Sequence, residues 1–293
     1  MRVGITILPE HRWAEARPRW VAAEEYGFDH AWTFDHLAWG RLADHAWYAS
    51  VPTLALAAEA TSRIRLGLLV ASPNFRHPVP FTRDVTTLDE VSDGRFTLGV
   101  GAGGMGGYDA NVLGAPAASP HRRFAEFLEL LDRLLTTDRV DHAGEHYAAV
   151  GARNVPGCVQ RPRPPFVVAA NGPKGMRLAA RFGRGWVTTG LPNDDLAGWW
   201  DSLRELSGRL DDVLDAAGLP RDHLERHLQS DMAPVLSTSS VECYRDFVGR
   251  AGELGFTDLA APWPRDEGVF AGDESVVEAI AAEVLPGLRA DRR

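Results

Sequence analysis

The stretch GVGAGGMGG, Gly99 to Gly107, follows the strand-like run Arg95–Leu98 and contains the dinucleotide-binding pattern G-x-G-x-x-G twice. This pattern indicates a Rossmann fold only when a helix begins at its third glycine, because the helix N-terminus binds the phosphate. Here a long segment interrupted by Gly114, Pro116 and Pro120 follows instead. The stretch therefore disfavours a Rossmann dehydrogenase, and its glycines need another role.

Strand-like apolar runs alternate with helical patterns along most of the chain. Runs that are apolar throughout are typical of a parallel sheet covered by helices. At 293 residues the chain is within the range of one α/β barrel. We predict an α/β fold, a (β/α)8 TIM barrel in a single domain over residues 1–293, with a doubly wound sheet as the alternative. The predicted strands are Val3–Leu8, His30–Phe34, Ile64–Ala71, Arg95–Val100, Phe166–Ala170, Gly185–Thr189, Gln229–Leu236 and Thr257–Ala261.

Three segments exceed what a minimal barrel needs. Gly101–Pro120 is a glycine-rich insertion after strand four, and Asn193–Asp215 is an insertion after strand six. Asp138–Pro165 contains a predicted hairpin before strand five. Because glycine loses much conformational entropy on ordering, we expect the first insertion to be mobile and to close over a bound substrate.

Composition excludes several classes of partner. A net charge of −9 disfavours binding to nucleic acid or to an anionic membrane. No apolar run approaches the roughly 18 residues of a membrane span. The N-terminus leads directly into a strand-like run, and Cys158 and Cys243 are isolated in the sequence. We therefore expect a cytoplasmic protein without a disulfide framework.

The C-terminal ends of barrel strands, where active sites lie in this fold, contain few chemically active residues. The second strand ends in Asp35 and His36. An imidazole next to a carboxylate can act as a general acid or base. The alternative is a histidine that only forms a hydrogen bond within its own loop.

The segment Asn171–Gly175, after the fifth strand, has the composition of an anion site. Its glycines permit close approach of the backbone, and Pro173 suits a first helical turn. Lys174 is the only lysine in a chain rich in arginine, and it adds positive charge. An ordinary strand-to-helix turn is the alternative interpretation.

Two histidine patterns suggest metal binding but have a simpler explanation. His142–His146 matches H-x-x-E-H, which requires a helix, whereas Gly144 and the surrounding composition favour a hairpin. His223–His227 lies in a charged segment that we interpret as solvated surface. We predict no metal site.

Long segments of the chain, in order, resemble the bacterial luciferase-like oxidoreductases, a TIM-barrel superfamily that uses FMN or the deazaflavin F420. The resemblance covers most of the chain, which it identifies as a single luciferase-like domain. The matching segments are Ala22–Asp29, Trp32–His36, Arg63–Gly67, Arg76–Pro78, Thr87–Gly103, Gln160–Pro165 and Asn171–Trp186.

The resemblance implies roles for several residues. Asp35 and His36 match a pair that contacts the deazaflavin in members that use F420, and His36 would take part in proton transfer. Trp39 would form part of the pocket wall. At Gly104 the sugar-phosphate dehydrogenases of the family have a catalytic glutamate, so sugar-phosphate oxidation is not supported. Asp109 is then the nearest acid and a candidate proton donor.

The cofactor-binding residues implied by the resemblance extend over several strand ends. A non-proline cis peptide is expected at Leu69–Val70, or one residue away, where it would support the back of the ring. The glycine-rich loop would let the ring lie close to the backbone, and the cofactor phosphate would bind at the anion site. The predicted cofactor-binding residues are Asp35, His36, Leu69, Val70, Gly101, Gly103, Gly107, Asn171, Gly172, Pro173, Lys174, Gly175 and Gly190.

The resemblance implies an F420-dependent oxidoreductase that transfers a hydride between the deazaflavin and an organic substrate. The alternative is an FMN-dependent monooxygenase in which reduced flavin activates oxygen. A barrel that binds a ligand without catalysis would leave the Asp-His pair without a purpose. We expect a small-molecule or small peptide-like organic substrate, a homodimer, and no nucleic-acid or membrane partner.

Overall fold

The computed structural model describes residues 1–104, 107–114 and 119–290. The strands within these ranges are β1 (Arg2–Thr6), β2 (His30–Thr33), β3 (Arg65–Ala71), β4 (Phe96–Gly101), β5 (Arg139–Ala143), β6 (Ala148–Arg153), β7 (Phe166–Ala169), β8 (Gly185–Thr188), β9 (Glu225–Gln229) and β10 (Asp258–Pro262). The helices are α1 (Trp13–Tyr26), α2 (Ser50–Ala60), α3 (Pro78–Val91), α4 (Tyr108–Val112), α5 (Pro120–Thr136), α6 (Pro173–Phe182), α7 (Leu196–Ala216), α8 (Val241–Glu253), α9 (Ser275–Glu283) and α10 (Leu285–Ala290).

Eight of these strands close into a parallel barrel in the order β1-β2-β3-β4-β7-β8-β9-β10, with β10 pairing back to β1. Helices between the strands cover the outside of the barrel. The predicted TIM barrel is therefore confirmed. The predicted hairpin is the antiparallel pair β5-β6, which stands apart from the barrel before β7.

The hydrophobic core has an outer and an inner part. The outer part lies between the strands and the helices, and Trp20, Phe127 and Trp199 are completely buried in it. The inner part consists of side chains from β2, β3, β7, β8 and β10 that pack against each other inside the barrel. These side chains, the inner layer, are Trp32, Leu69, Val167, Val187 and Ala260.

The seventh barrel strand differs from its prediction. The predicted strand is Gln229–Leu236, whereas the structure has β9 at Glu225–Gln229 followed by a 3-10 turn at Ser230–Met232. The prediction also makes His223–His227 solvated surface, which is wrong for His227 because that residue is buried in β9. Apolar periodicity fails here because ion pairs satisfy the strand's polar side chains, for example Arg226 with Asp211.

The insertions have defined secondary structure in part. The segment after β4 contains the short helix α4, and the long helix α7 follows β8. Residues 105–106 and 115–118 of the predicted mobile loop lie outside the described residues. Within the described ranges, no helix is both long enough and apolar enough to cross a bilayer.

Candidate active site

A cavity of about 810 Å³ opens at the C-terminal end of the barrel, and its wall includes ends of β3, β4, β7, β8 and β9. This is the end at which TIM-barrel enzymes have their active sites. Most of the predicted site residues line it. They are His36, Trp39, Leu69, Val70, Gly101, Gly103, Asn171, Gly172, Pro173, Lys174 and Gly175.

His36 lies just after β2, and about a third of its side chain is exposed. Its Nδ1 lies 2.7 Å from Oδ2 of Asp109, a residue of α4 that is 4% exposed. The other carboxylate oxygen of Asp109 accepts a hydrogen bond from the backbone N–H of Leu37 at 2.8 Å. A carboxylate only accepts, so Nδ1 donates and Nε2 remains available to a ligand. Both residues are predicted from the sequence, but their contact is not.

Asp35 lies behind the cavity wall rather than on it. The side chain is fully buried and forms a two-pronged ion pair with Arg76, at 2.6 Å from Nη2 and 3.0 Å from Nε. The hydroxyl of Ser50 also donates to it. Burial lowers the pKa of Arg76, but the hydrogen bond and charge of Asp35 outweigh burial and raise it. This position suits a positioning role, in which Asp35 joins the end of β2 to the segment after β3.

An aromatic wall lies beside His36. The ring of Trp39 stacks on Phe270 with centroids 5.7 Å apart, and it meets Phe34 edge-on at 5.3 Å. Phe34 is buried and contacts the His36 ring edge-on as well. The imidazole therefore faces a cavity with an apolar side, from which bound ligand would exclude water.

The ends of β3 and β4 form the floor of the cavity. The peptide Leu69–Val70 is cis, as the sequence predicts. A Cβ on Gly101 would lie 2.8 Å from Val70, and a Cβ on Gly103, whose φ is +73°, would lie 2.3 Å from Asn74. These two glycines are required for packing of the strand ends against each other. Gly104 differs, because a Cβ there would meet no protein atom within 4 Å and would point into free space.

The anion site predicted at Asn171–Gly175 is the N-terminus of α6. The helix begins at Pro173, and Gly172 before it has no side chain to cap the free N–H groups. Lys174 and Arg177 are exposed on the cavity rim, and in the described part of the chain neither forms an ion pair. Cations are unfavourable at a helix N-terminus because the helix dipole is positive there. A bound anion would reverse that penalty.

Besides Asp35, two predicted cofactor-binding residues lie outside the cavity lining, Gly107 and Gly190. Gly190 supports the wall, because its carbonyl accepts a hydrogen bond from the Asn171 side chain at 3.2 Å. Its φ of +78° and its closeness to Trp199 explain the glycine. Gly107 precedes α4 as its N-cap, so it positions the helix that contains Asp109.

Several residues of the cavity wall are not among those predicted from the sequence. His121 and Phe124, from α5, line it, as do Gln229 and Asp231 at the end of β9. The last two are missed because the seventh strand is predicted to begin where the structure ends it. Asp231 is buried, and burial raises the pKa of its carboxyl to about 7.

The residues present fit a flavin-like or deazaflavin cofactor. The cavity volume is within the range of cofactor sites, and apolar and aromatic side chains dominate its wall. Gly104 and Gly172 leave open space above the backbone at two points of the wall. The N-terminus of α6 supplies N–H groups and two cations for a phosphate. Leu69, Val70, His36 and the α6 N-terminus would hold such a group.

Comparison with known proteins assigns the chain to a family. The family model described as luciferase-like monooxygenase matches residues 1–219. The protein therefore belongs to the luciferase-like monooxygenase family, which confirms the resemblance seen in the sequence.

Individual relatives differ in what they do. The chain is 34% identical over 208 residues to 4-hydroxyprotoasukamycin monooxygenase of Streptomyces nodosus subsp. asukaensis, covering 66% of this chain and 53% of the relative. It is 38% identical over 176 residues to the F420-dependent glucose-6-phosphate dehydrogenase of Beutenbergia cavernae, covering 58% and 50%. The chain thus spans about half the length of these relatives. The F420-dependent tetrahydromethanopterin reductase of Methanopyrus kandleri has the same fold, with a TM-score of 0.80 at 18% identity and coverage of 98% and 99%.

Proposed function

We propose that this protein is an F420-dependent oxidoreductase that transfers a hydride between the deazaflavin and an organic substrate at the C-terminal mouth of the barrel. The observation that carries the proposal is His36 on the cavity wall, held through Nδ1 by the buried carboxylate of Asp109. Several relatives that are 31–38% identical to the chain are F420-dependent dehydrogenases, which favours F420 over FMN. The proposal covers residues 1–293 as one domain.

The chain's own residues would divide the work. When bound, the deazaflavin supplies a hydride acceptor or donor. Lys174 and Arg177 at the N-terminus of α6 would bind its phosphate, since charge-assisted hydrogen bonds to an anion are strong. Leu69 and Val70 would support one face of the ring. His36 would present Nε2 to the reacting groups, oriented by Asp109, and Trp39 would exclude water.

An FMN-dependent monooxygenase is the second candidate function. The relative from Streptomyces nodosus is a monooxygenase, and it is 34% identical to this chain. The same cavity and the same α6 N-terminus would bind the phosphate of FMN. The two candidates differ in whether the bound ring reacts with oxygen. A small organic substrate, a cytoplasmic location and a homodimeric assembly stay predictions for both.

Titration of the purified protein with F420 and, separately, with FMN tests the proposal. We expect binding of F420 with a micromolar or lower Kd, followed by ring absorbance or fluorescence, and much weaker binding of FMN. Micromolar binding of FMN alone, together with oxygen consumption by the reduced complex, would instead establish the monooxygenase.

A further inference from the structure

Asp231 is an acid on the cavity wall, and one of its two carboxyl oxygens is unpaired among the described residues. It lies in the 3-10 turn that follows β9, next to Gln229, which also lines the cavity. The residue is 9% exposed. Its Oδ1 atom is buried and has no hydrogen-bond partner among the described residues. Leaving a buried carboxylate oxygen unpaired is unfavourable, and a proton on the carboxyl group reduces this cost.

The surroundings of Asp231 allow its carboxyl group to be protonated near neutral pH. The backbone N–H groups of Asp231 and Met232 lie close to the carboxyl, and the charged or titratable side chains that face it are Arg41 and His36. Each of these favours the ionised form, but burial has the larger effect and raises the pKa to about 7. At neutral pH a large fraction of the protein therefore has a neutral carboxylic acid here, with an O–H to donate.

Resting on the proposed function, we propose that Asp231 is the catalytic acid that protonates a carbonyl or imine group of the substrate. The substrate carbon receives a hydride from the reduced deazaflavin, and its oxygen or nitrogen receives the Asp231 proton. The C=O or C=N double bond becomes a single bond, the cofactor is oxidised by two electrons, and Asp231 becomes a carboxylate that solvent reprotonates. In the opposite direction the ionised carboxylate accepts the proton of an alcohol or amine.

Asp231 suits this step better than His36. The imidazole already donates its Nδ1 proton to Asp109, which fixes the ring and leaves Nε2 to orient or polarise the substrate. Titratable groups in one site whose environments differ in this way divide into acid and positioning roles. Asp231 and His36 line the same cavity, so a substrate C=O or C=N bound there can accept the Asp231 proton. The apolar wall around Trp39 suits the carbon skeleton of such a substrate.

Infrared difference spectroscopy of the cofactor-free protein between pH about 5 and about 9 tests whether Asp231 is a neutral acid. We expect a carboxylic-acid C=O band that disappears with a midpoint near pH 7. The band should be absent in Asp231→Asn and present in the matched control Asp201→Asn, an exposed residue of α7. A wild-type spectrum without any such band would overturn the assignment, whatever cofactor the protein uses.

Turnover with reduced F420 and three probes, cyclohexanone, benzaldehyde and 1-pyrroline, tests the donation itself. For a probe that the wild type reduces, Asp231→Asn should lower kcat by about 100-fold or more. The Kd for F420 should stay within about twofold, and Asp201→Asn should match the wild type. Unchanged kcat in Asp231→Asn, or an F420-binding wild type that reduces none of the three, would overturn the proposal. A wild type that does not bind F420 would overturn the proposed function, while the infrared result would still decide the state of Asp231.

Discussion

The two ends of the barrel contain cavities of similar size, about 810 Å³ at the C-terminal end and about 730 Å³ at the N-terminal end. The inner layer separates them. Leu69 and Val187 face the C-terminal cavity, called the upper cavity below, and Trp32 faces the N-terminal cavity, called the lower cavity. Volume therefore does not distinguish them. The difference is in how their charged groups are satisfied.

At the N-terminal end the charged groups form ion pairs with each other, although the buried Nε2 atoms of His30 and His227 have no well-formed hydrogen bond among the described residues. Arg2 forms a two-pronged ion pair with the buried carboxylate of Asp258, at 2.8 Å for both contacts. His30 and His227 also approach this carboxylate, with Nε2 atoms 3.2 and 3.8 Å from its oxygens. These groups lower the pKa of Asp258 far below its ordinary range, although burial opposes them. The end is a network of mutual pairs.

The same network bears on metal binding. Donor atoms of His30, His227 and Asp258 lie close enough together to hold an ion. However, the indole N–H of Trp32 donates to Nδ1 of His30 at 2.6 Å. Because Nδ1 accepts this bond, the proton of the neutral imidazole is on Nε2, 3.2 Å from a carboxylate oxygen of Asp258. Burial lowers the pKa of His30. A metal ion needs Nε2 unprotonated, so it would have to displace this proton.

At the C-terminal end, by contrast, groups are left available. Lys174 and Arg177 have no carboxylate partner in the described part of the chain, and Asp231 has an unpaired oxygen. His36 is the exception, and its partner Asp109 leaves Nε2 available. The comparison indicates that the lower end maintains the fold and the upper end is kept for a ligand, as in TIM barrels generally.

The largest effect is expected from His36→Ala. It should lower kcat by ~10²–10⁴. His36→Asn keeps a hydrogen-bond donor. If Asp231 supplies the proton, the kcat of His36→Asn should therefore be about tenfold or more above that of His36→Ala. Steady-state kinetics check both, with the exposed His223→Ala as control. Equal rates for Asn and Ala would show that His36 itself transfers the proton.

Asp258→Asn, at the lower end of the barrel, is expected to lower the stability of the protein without changing its binding of the cofactor. Breaking a buried ion pair costs about 3–5 kcal/mol, and we expect the lower part of this range because Arg2 is partly exposed. Urea unfolding measures the loss, and the F420 Kd should not change. The surface variant Asp246→Asn is the matched control. A Kd that rises with Asp258→Asn would contradict the separation of the two ends.

The pH dependence of stability sharpens this test. A carboxyl whose pKa is lowered in the folded state stabilises the protein above its unfolded pKa and loses that contribution as the pH falls below it. The free energy of unfolding of the wild type should therefore fall as the pH drops below about 4, where unfolded aspartate is protonated. Asp258→Asn should show a shallower fall, and parallel curves would contradict the role given to this carboxylate.

A smaller effect is expected from Lys174→Ala. Loss of a charge-assisted hydrogen bond to the cofactor phosphate should weaken F420 binding by about 1–3 kcal/mol. Stability should not change, because the side chain is exposed. The control is Arg204→Ala, an exposed cation of α7. An unaltered Kd would show that Lys174 is a surface residue that does not bind the cofactor.

The barrel could be predicted from the sequence because most of its strands are apolar throughout and regularly spaced. Strand β9 is the exception, since Arg226 and His227 are polar residues buried by ion pairs from distant elements. Local patterns do not contain such partners. Misplacing this strand also hides Asp231, which follows it directly.

The site could be predicted where its residues are contiguous. Asn171–Gly175 and the pair Asp35-His36 follow strand ends, so the barrel rule finds them. The geometry corrects their contacts, since His36 pairs with Asp109, 73 residues away, and Asp35 pairs with Arg76. Neighbours in sequence at the end of a strand point in opposite directions, which separates Asp35 from His36.

A crystal structure of the protein grown with F420 tests the central claim most directly. The account predicts the deazaflavin ring in the upper cavity, against Leu69–Val70 and within reach of His36, with a phosphate oxygen at the N-terminus of α6 beside Lys174. The network around Asp258 should be unchanged. A ring bound in the lower cavity, or a phosphate away from α6, would contradict the account.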